Sequence, residues 1–149
     1  MGRTVTKTSV FPAEANMVWE RLQRLSSLQY VASPYASFQP VDGKKDFVWR
    51  EGESFALNFK LFVVIPLGVH TIRIITFDRE HYTIYSNESN RHVPTWNHCI
   101  TLKPIDERNT EYTDQIEIDA GWKTPFVYAW AKCFYAHRQK KWIRLLQSE

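Results

Sequence analysis

Thr4 to Phe11 is rich in Thr and Val, a composition that favours extended backbone, and it predicts a first strand ended by Pro12. Behind it Ala15, Val18, Trp19, Leu22 and Leu25 recur at three- and four-residue steps, with Glu14, Glu20, Arg21 and Arg24 opposite. That spacing predicts an amphipathic helix on a surface. Ser26 and Ser27 are suited to cap a second short helix through Leu28, Tyr30 and Val31, which Pro34 stops. From Tyr35 the helical period gives way to strands near 35–41, 53–64, 68–78, 81–89, 95–104 and 110–119. The breaks carry turn chemistry: Asp42-Gly43, Pro66 with Gly68, the Asp78–Glu80 corner, Val93-Pro94 and the Asp106–Asn109 turn. Strands so linked pair antiparallel, in a meander that must curve or close to protect its edges.

Thr124-Pro125 places an N-cap before a proline at the first helical position, and opens a helix running to about Gln147. Such a helix is ~33 Å long, enough to cross a sheet. Its first half, FVYAWAKCFYA, is apolar almost all round and so must pack on more than one side. A curved sheet gripping the helix meets that demand. The expected fold class is therefore α+β: a curved antiparallel sheet of about seven strands around a long C-terminal helix, with two short helices after the first strand. No repeat or linker divides the chain, so residues 1–149 are read as a single domain.

Composition narrows the function classes. Aromatic residues make up 15% of the chain, enough either to fill a core or to line a pocket. The formal charge of +3 is modest and the basic residues are dispersed except near the C-terminus, which argues against nucleic acid as a partner. Cys99 and Cys133 lack CxxC spacing and sit in apolar surroundings, and are expected to be reduced core residues of a cytoplasmic protein. No apolar run reaches the ~18–20 residues of a membrane span, so stable membrane insertion is not expected.

The strings LQYVASPYASF, VWREGESF, LFVVIPLGVHTIRI, TWNHCITL, EYTDQIEIDAG and FYAHRQKKWIRLL stand in this order along nearly the whole chain. Together they resemble a bacterial branch of the SRPBCC or START-like superfamily, the helix-grip proteins that include polyketide cyclase/dehydrase-like members. The resemblance implies a hydrophobic or amphipathic small molecule, lipid- or polyketide-like, bound between sheet and helix. A minority of such proteins are enzymes, and fold alone does not assign function.

Motifs for nucleotide phosphates, zinc proteases and serine nucleophiles are missing, so neither a cofactor nor a metal is expected. His70, His81 and His92 stand at a strand start, a turn and a loop, where histidine is ordinary. Alternation places Trp96 and His98 on one strand face and Tyr112 and Asp114 on the same face of the next, with His98 diagonal to Asp114 and within hydrogen-bonding reach. Such a pair is either a satisfied structural contact or a general base with its orienting carboxylate. On the final helix Phe126, Trp130, Phe134, His137 and Lys141 share one sector opposite Lys132 and Gln139, and Arg138 borders it. A ligand body along Trp130 and Phe134 would place its polar end at His137, Arg138 and Lys141, which favours amphipathic anions. If those cations instead pair with surface carboxylates such as Glu14 or Glu20, they never see the interior. Two functions stand side by side: binding or carriage of such a ligand, with Trp96, Tyr112, Trp130, Phe134, His137, Arg138 and Lys141 as contacts, and a cofactor-free cyclase or dehydratase using His98 and Asp114.

Overall fold

The Thr- and Val-rich N-terminus forms β1 (Arg3–Phe11), followed by α1 (Ala15–Leu22) and α2 (Leu25–Ala32) in a computed structural model that describes residues 2–62 and 64–147. Next come β2 (Ala36–Pro40), β3 (Ser54–Leu61), β4 (Ile65–Asp78), β5 (Thr83–Ser89), β6 (Thr95–Pro104) and β7 (Thr110–Asp119). A short 3-10 turn over Gly121–Lys123 leads into α3 (Thr124–Gln147). The strands make one 7-stranded sheet in the order β1-β7-β6-β5-β4-β3-β2, and every neighbouring pair is antiparallel. The run expected over 53–64 reaches residue 63, which lies outside the described residues; the strand itself ends at Leu61, and β4 begins at Ile65 rather than 68.

Two register shifts, at Phe59/Lys60 in β3 and Ile74/Thr76 in β4, bend the sheet where it must curl around the helices. Gly68, with φ +91°, supplies the backbone freedom opposite the first of them. α2 starts at Leu25 with Arg24 at its N-cap and no side-chain cap, so Ser26 and Ser27 do not cap it; the Ser26 N–H instead donates to Asp46 at 3.1 Å. Thr124 ties the last turn of the approach to α3, accepting from the Ala120 N–H at 2.9 Å and donating to the Gly121 carbonyl at 2.7 Å.

α3 crosses the sheet in contact with β1, β7 and α2. Its buried face is Ala131, Phe134, Tyr135, Arg138, Gln139, Trp142 and Leu146. This face is turned by roughly a third of a turn from the sector of Phe126, Trp130, His137 and Lys141. The apolar first half of the helix does not select a face, so contacts with β1 and α2 set the rotation. The core falls into two groups. One, with Leu25, Phe38, Leu57, Ile72, Trp96 and Phe134, surrounds the middle of α3; the other, with Phe11, Trp19, Ile84, Tyr112, Trp142 and Leu146, closes the end where α3 finishes. Both cysteines are free thiols, but Cys99 is only half-buried and Cys133 is exposed, so neither is a core residue. None of the described helices is long and apolar enough to cross a membrane.

Candidate functional site: a polar seam beneath an apolar cavity

Each of four consecutive strands turns one ionisable side chain to the concave face: His70 from β4, Glu88 from β5, His98 from β6 and Asp114 from β7. The antiparallel register steps them diagonally, since Ile72 pairs with Glu88, Ser86 with His98 and His98 with Ile116. Asn90 accepts the backbone N–H groups of His92 and Val93 on its side-chain oxygen, both at 2.9 Å, so its amide nitrogen faces His70 Nδ1 at 3.0 Å. The His70 proton therefore sits on Nε2 and goes to Glu88 at 2.8 Å. Ser86 donates to the other Glu88 oxygen at 2.8 Å, and His98 Nδ1 lies 3.7 Å from that same oxygen. On its far side His98 Nε2 donates to Asp114 Oδ1 at 2.6 Å. Asp114 is fully enclosed, taking further hydrogen bonds from the Tyr112 hydroxyl at 2.9 Å and the Gln139 amide at 3.0 Å. The result is an imidazole held between two carboxylates that favour its protonated form, with Arg138 of α3 as a buried cation beside it.

The charges sustain one another. Burial works against ionisation of Asp114, yet the hydrogen bond and charge of His98, with Arg138 and Gln139, hold its carboxyl below the usual range. Glu88 behaves alike: burial opposes its charge, and the hydrogen bond with His70 together with the nearby His98 ring outweighs it and pushes the carboxyl far down. Burial lowers the affinity of His98 for its proton, but the bonds to Asp114 and Glu88 raise it above that of a free imidazole. For Arg138, burial is likewise outweighed by the field of Asp114 and Glu88. Burial raises the Tyr112 and Tyr135 hydroxyls well above their ordinary values, so both remain neutral donors.

These shifts fix a pH profile. The raised pKa of His98 contributes stability that is complete below the unfolded value of about 6.5 and is lost as pH climbs through the folded one. The lowered pKa values of Glu88 and Asp114 contribute stability that is complete above about 4–4.5 and is lost as pH falls through the folded ones. Melting temperature is thus expected to peak between roughly pH 5 and 6.5 and to decline above it. His98→Gln should flatten much of the alkaline decline; the exposed His81, whose pKa Asp78 raises, leaves a small remainder. An unchanged alkaline slope in the variant would contradict the assignment.

Above the seam lies a cavity of ≈ 320 Å³ between the sheet and α3. Trp96, His98, Trp130, Phe134 and Arg138 line it, together with His70, Glu88 and Tyr135. Tyr112 and Asp114 do not reach it: Tyr112 stacks on Phe11 and lies tilted beside Trp142, and Asp114 lies behind His98. His137 and Lys141 are also absent from the wall. The rotation of α3 carries them toward α2, where His137 donates to the Ser33 carbonyl at 2.6 Å and stacks on Tyr35, and Lys141 sits 4.2 Å above the Tyr30 ring. Gln139, expected opposite the packed sector, is buried against β1 and bonds the Lys7 carbonyl at 2.8 Å as well as Asp114.

Arg138 is different in kind. Its guanidinium lies 5.0 Å from the Tyr135 ring centre and 5.6 Å from that of Phe134, and it makes no hydrogen bond or ion pair among the described residues. Neither Glu14 nor Glu20 pairs with it; Glu20 takes Arg79 instead. Three buried side-chain nitrogens among the described residues have no partner: Trp130 Nε1, Arg138 Nε and Trp142 Nε1. All three are donors on α3, and all belong to residues that line the cavity. Sequence reasoning passes over Glu88 and Tyr135 and reads His70 as an ordinary histidine at a strand start, although Glu88 shares strand parity with the inward Ile84 and His70 with Ile72 and Ile74.

A comparison of the sequence with the curated proteins finds no match. In structure the chain is similar to a START superfamily protein from Mycobacterium smegmatis, at 14% identity over 97% of each chain with a TM-score of 0.73. It is similar also to a point mutant of norcoclaurine synthase from Thalictrum flavum in complex with a transition-state analogue (13% identity, 99% of this chain and 96% of that one, TM-score 0.68). The Zhui aromatase/cyclase from Streptomyces sp. R1128 is a third (13% identity, 98% and 92%, TM-score 0.67). These likenesses fix the fold as the START-like helix-grip. The model of the family described as Domain of unknown function (DUF8410) matches residues 9–146, and the chain belongs to that family.

Proposed function

We propose that the protein binds an amphipathic small molecule whose apolar body fills the cavity and whose acidic group is held by Arg138. The supporting observation is the set of unpartnered donors on α3: a buried guanidinium and two indole N–H groups line a cavity that is otherwise chiefly apolar. A buried donor without a partner costs about 1–3 kcal/mol, more for a charged one, and an acceptor-bearing ligand recovers it. A planar guanidinium suits a carboxylate bidentately. Fatty acids and acidic polyketides meet the description; neutral sterols do not. The START superfamily and aromatase/cyclase neighbours make a small-molecule site in this place reasonable, without fixing its occupant.

The same geometry speaks for binding rather than for general base chemistry. Both nitrogens of His98 face carboxylates, which favour its protonated form, and in that form the ring has no lone pair to take a proton. Asp114, its partner, is sealed from the cavity.

Calorimetry with dodecanoate and its neutral analogue dodecanol tests the proposal. Dodecanoate should bind more tightly, and Arg138→Gln should weaken it by about 1.5–3 kcal/mol per charged hydrogen bond while hardly changing dodecanol. Lys141→Gln should leave both alone. Equal affinity for acid and alcohol in the unmodified protein, or an indifferent Arg138→Gln variant, would overturn the assignment.

A further inference from the structure

The antiparallel register gathers the β3–β4 tip, the β5–β6 loop and the β7–α3 connection at one end of the molecule, since Leu61 pairs with Ile65 and with Ala36, Thr71 with Ser89, and Thr95 with Asp119. The most exposed of the large apolar residues stand there. Trp122 is 80% exposed, Val64 75% and Phe126 71%, the three highest values among such residues, and Phe62 and Ile65 stand beside Val64. Phe62 adopts φ +51°, a left-handed conformation uncommon outside glycine, which costs energy and yet presents an aromatic ring at the tip. Side chains as exposed as Trp122 and Val64, at two separate connections, contribute little packing within the chain.

Charge divides the molecule the same way. The described residues of 61–68, 90–94 and 120–127 contain Arg91 and Lys123 but no carboxylate; Asp119, just before the third, is half-buried and accepts the Gly121 N–H. The loops of the opposite end mix both signs, with Asp42, Asp46 and Glu51 beside Lys44, Lys45 and Arg50, and carry only a small acidic excess. Phe126 also lines the cavity, with Leu61, Leu67 and His92, so the cavity reaches the apolar, basic end.

We infer that this end is a membrane-docking surface: Trp122, Phe126, Phe62, Val64 and Ile65 enter the interfacial region of an anionic bilayer, Arg91 and Lys123 face its headgroups, and the cavity opens toward the lipid. An amphipathic aromatic ring favours the headgroup level, and cations without neighbouring carboxylates are attracted by a negative surface potential. The contrast between cations in carboxylate-free loops at this end and mixed charge at the far end orients the molecule with its cavity toward the bilayer. A lipid surface fits the mixture of protruding apolar tips and dispersed cations better than a protein groove, which would demand matched partners for each. Docking of this kind involves no spanning segment.

Flotation of the full chain with vesicles of phosphatidylcholine, with and without 30 mol% phosphatidylserine, tests the inference. Binding is expected to the anionic vesicles at low salt, weakening as salt rises. Trp122→Ser with Val64→Ser should reduce partitioning at least tenfold, and Lys123→Gln about fivefold. All three positions are at least partly exposed, so unchanged melting temperatures are expected to accompany the losses. Dodecanoate binding in solution should survive these changes, which separates failure of docking from failure of the cavity reading. The inference is overturned if the chain floats with neither vesicle. It is overturned too if the serine variant floats undiminished, or if the apolar end proves to join two copies in a dimer that those substitutions dissolve.

Discussion

Replacing Asp114 by alanine is expected to destabilise the protein by about 3–5 kcal/mol, measured as the shift in the urea unfolding free energy at pH 6. Asp114 is fully enclosed and receives three side-chain hydrogen bonds, from His98, Tyr112 and Gln139, which belong to β6, β7 and α3. Its removal leaves the His98 ring facing only Glu88 at 3.7 Å, and strands the buried Tyr112 hydroxyl and one N–H of the Gln139 amide, whose other N–H stays on the Lys7 carbonyl. Asp114→Asn, which keeps the shape but loses the charge, should cost less and should lower the pKa of His98, visible in the pH titration of its ring protons. A loss under about 1 kcal/mol for the alanine variant would show that water fills the gap and that the seam contributes little.

Why the sheet needs so costly a device is visible in its position. The seam runs across β4 to β7 directly under the cavity, where an apolar floor would leave a void with nothing to order it. A polar chain fixed at each link holds four strands in one register and presents a wall with a defined charge. It also keeps Arg138 ionised in a place where an isolated cation would be expelled, because Asp114 and Glu88 offset its burial without touching it. The guanidinium stays available to a ligand for that reason.

The fold was legible in the sequence because its elements depend on local signals. The Thr124-Pro125 start of α3, the Asp106–Asn109 turn and the Val93-Pro94 break each lie where a helix begins or a strand is interrupted. The diagonal placement of His98 and Asp114 followed from the alternation of two strands joined by one short turn. Non-local quantities were not legible. Nothing near His137 or Lys141 announces that α2 will flank them, and nothing near Gln139 announces the Lys7 carbonyl it meets. The rotation of α3 depends on β1 and α2, elements more than a hundred positions away, so the sector of its cationic residues was misplaced. Glu88 needed a longer chain of reasoning still. Only when β4, β5, β6 and β7 are set side by side does a polar residue at inward parity in each become a continuous seam.

Two tryptophans should respond to truncation in opposite ways, and their contrast separates core from cavity. Trp19 is almost wholly buried on α1, edge-on to Phe77 at 4.9 Å and to Tyr82 at 5.7 Å, and does not line the cavity. Trp19→Ala should cost about 3–5 kcal/mol, because the surrounding strands cannot collapse into the space. Trp130 is only half-buried; one partner, Phe134, stacks on it at 4.6 Å, and the ring lines the cavity with its N–H unpartnered. Trp130→Ala should cost no more than about 1–2 kcal/mol, since part of the ring already lacks packing neighbours and truncation removes an orphaned donor. Its effect should appear instead in the ligand, as roughly a tenfold loss of dodecanoate affinity from the missing ring contact. Urea unfolding and calorimetry on both variants give the comparison. Equal stability losses would mean that α3 packs solidly on the sheet in solution. A Trp130 variant that binds dodecanoate undiminished would move the ligand's body away from this face of the helix.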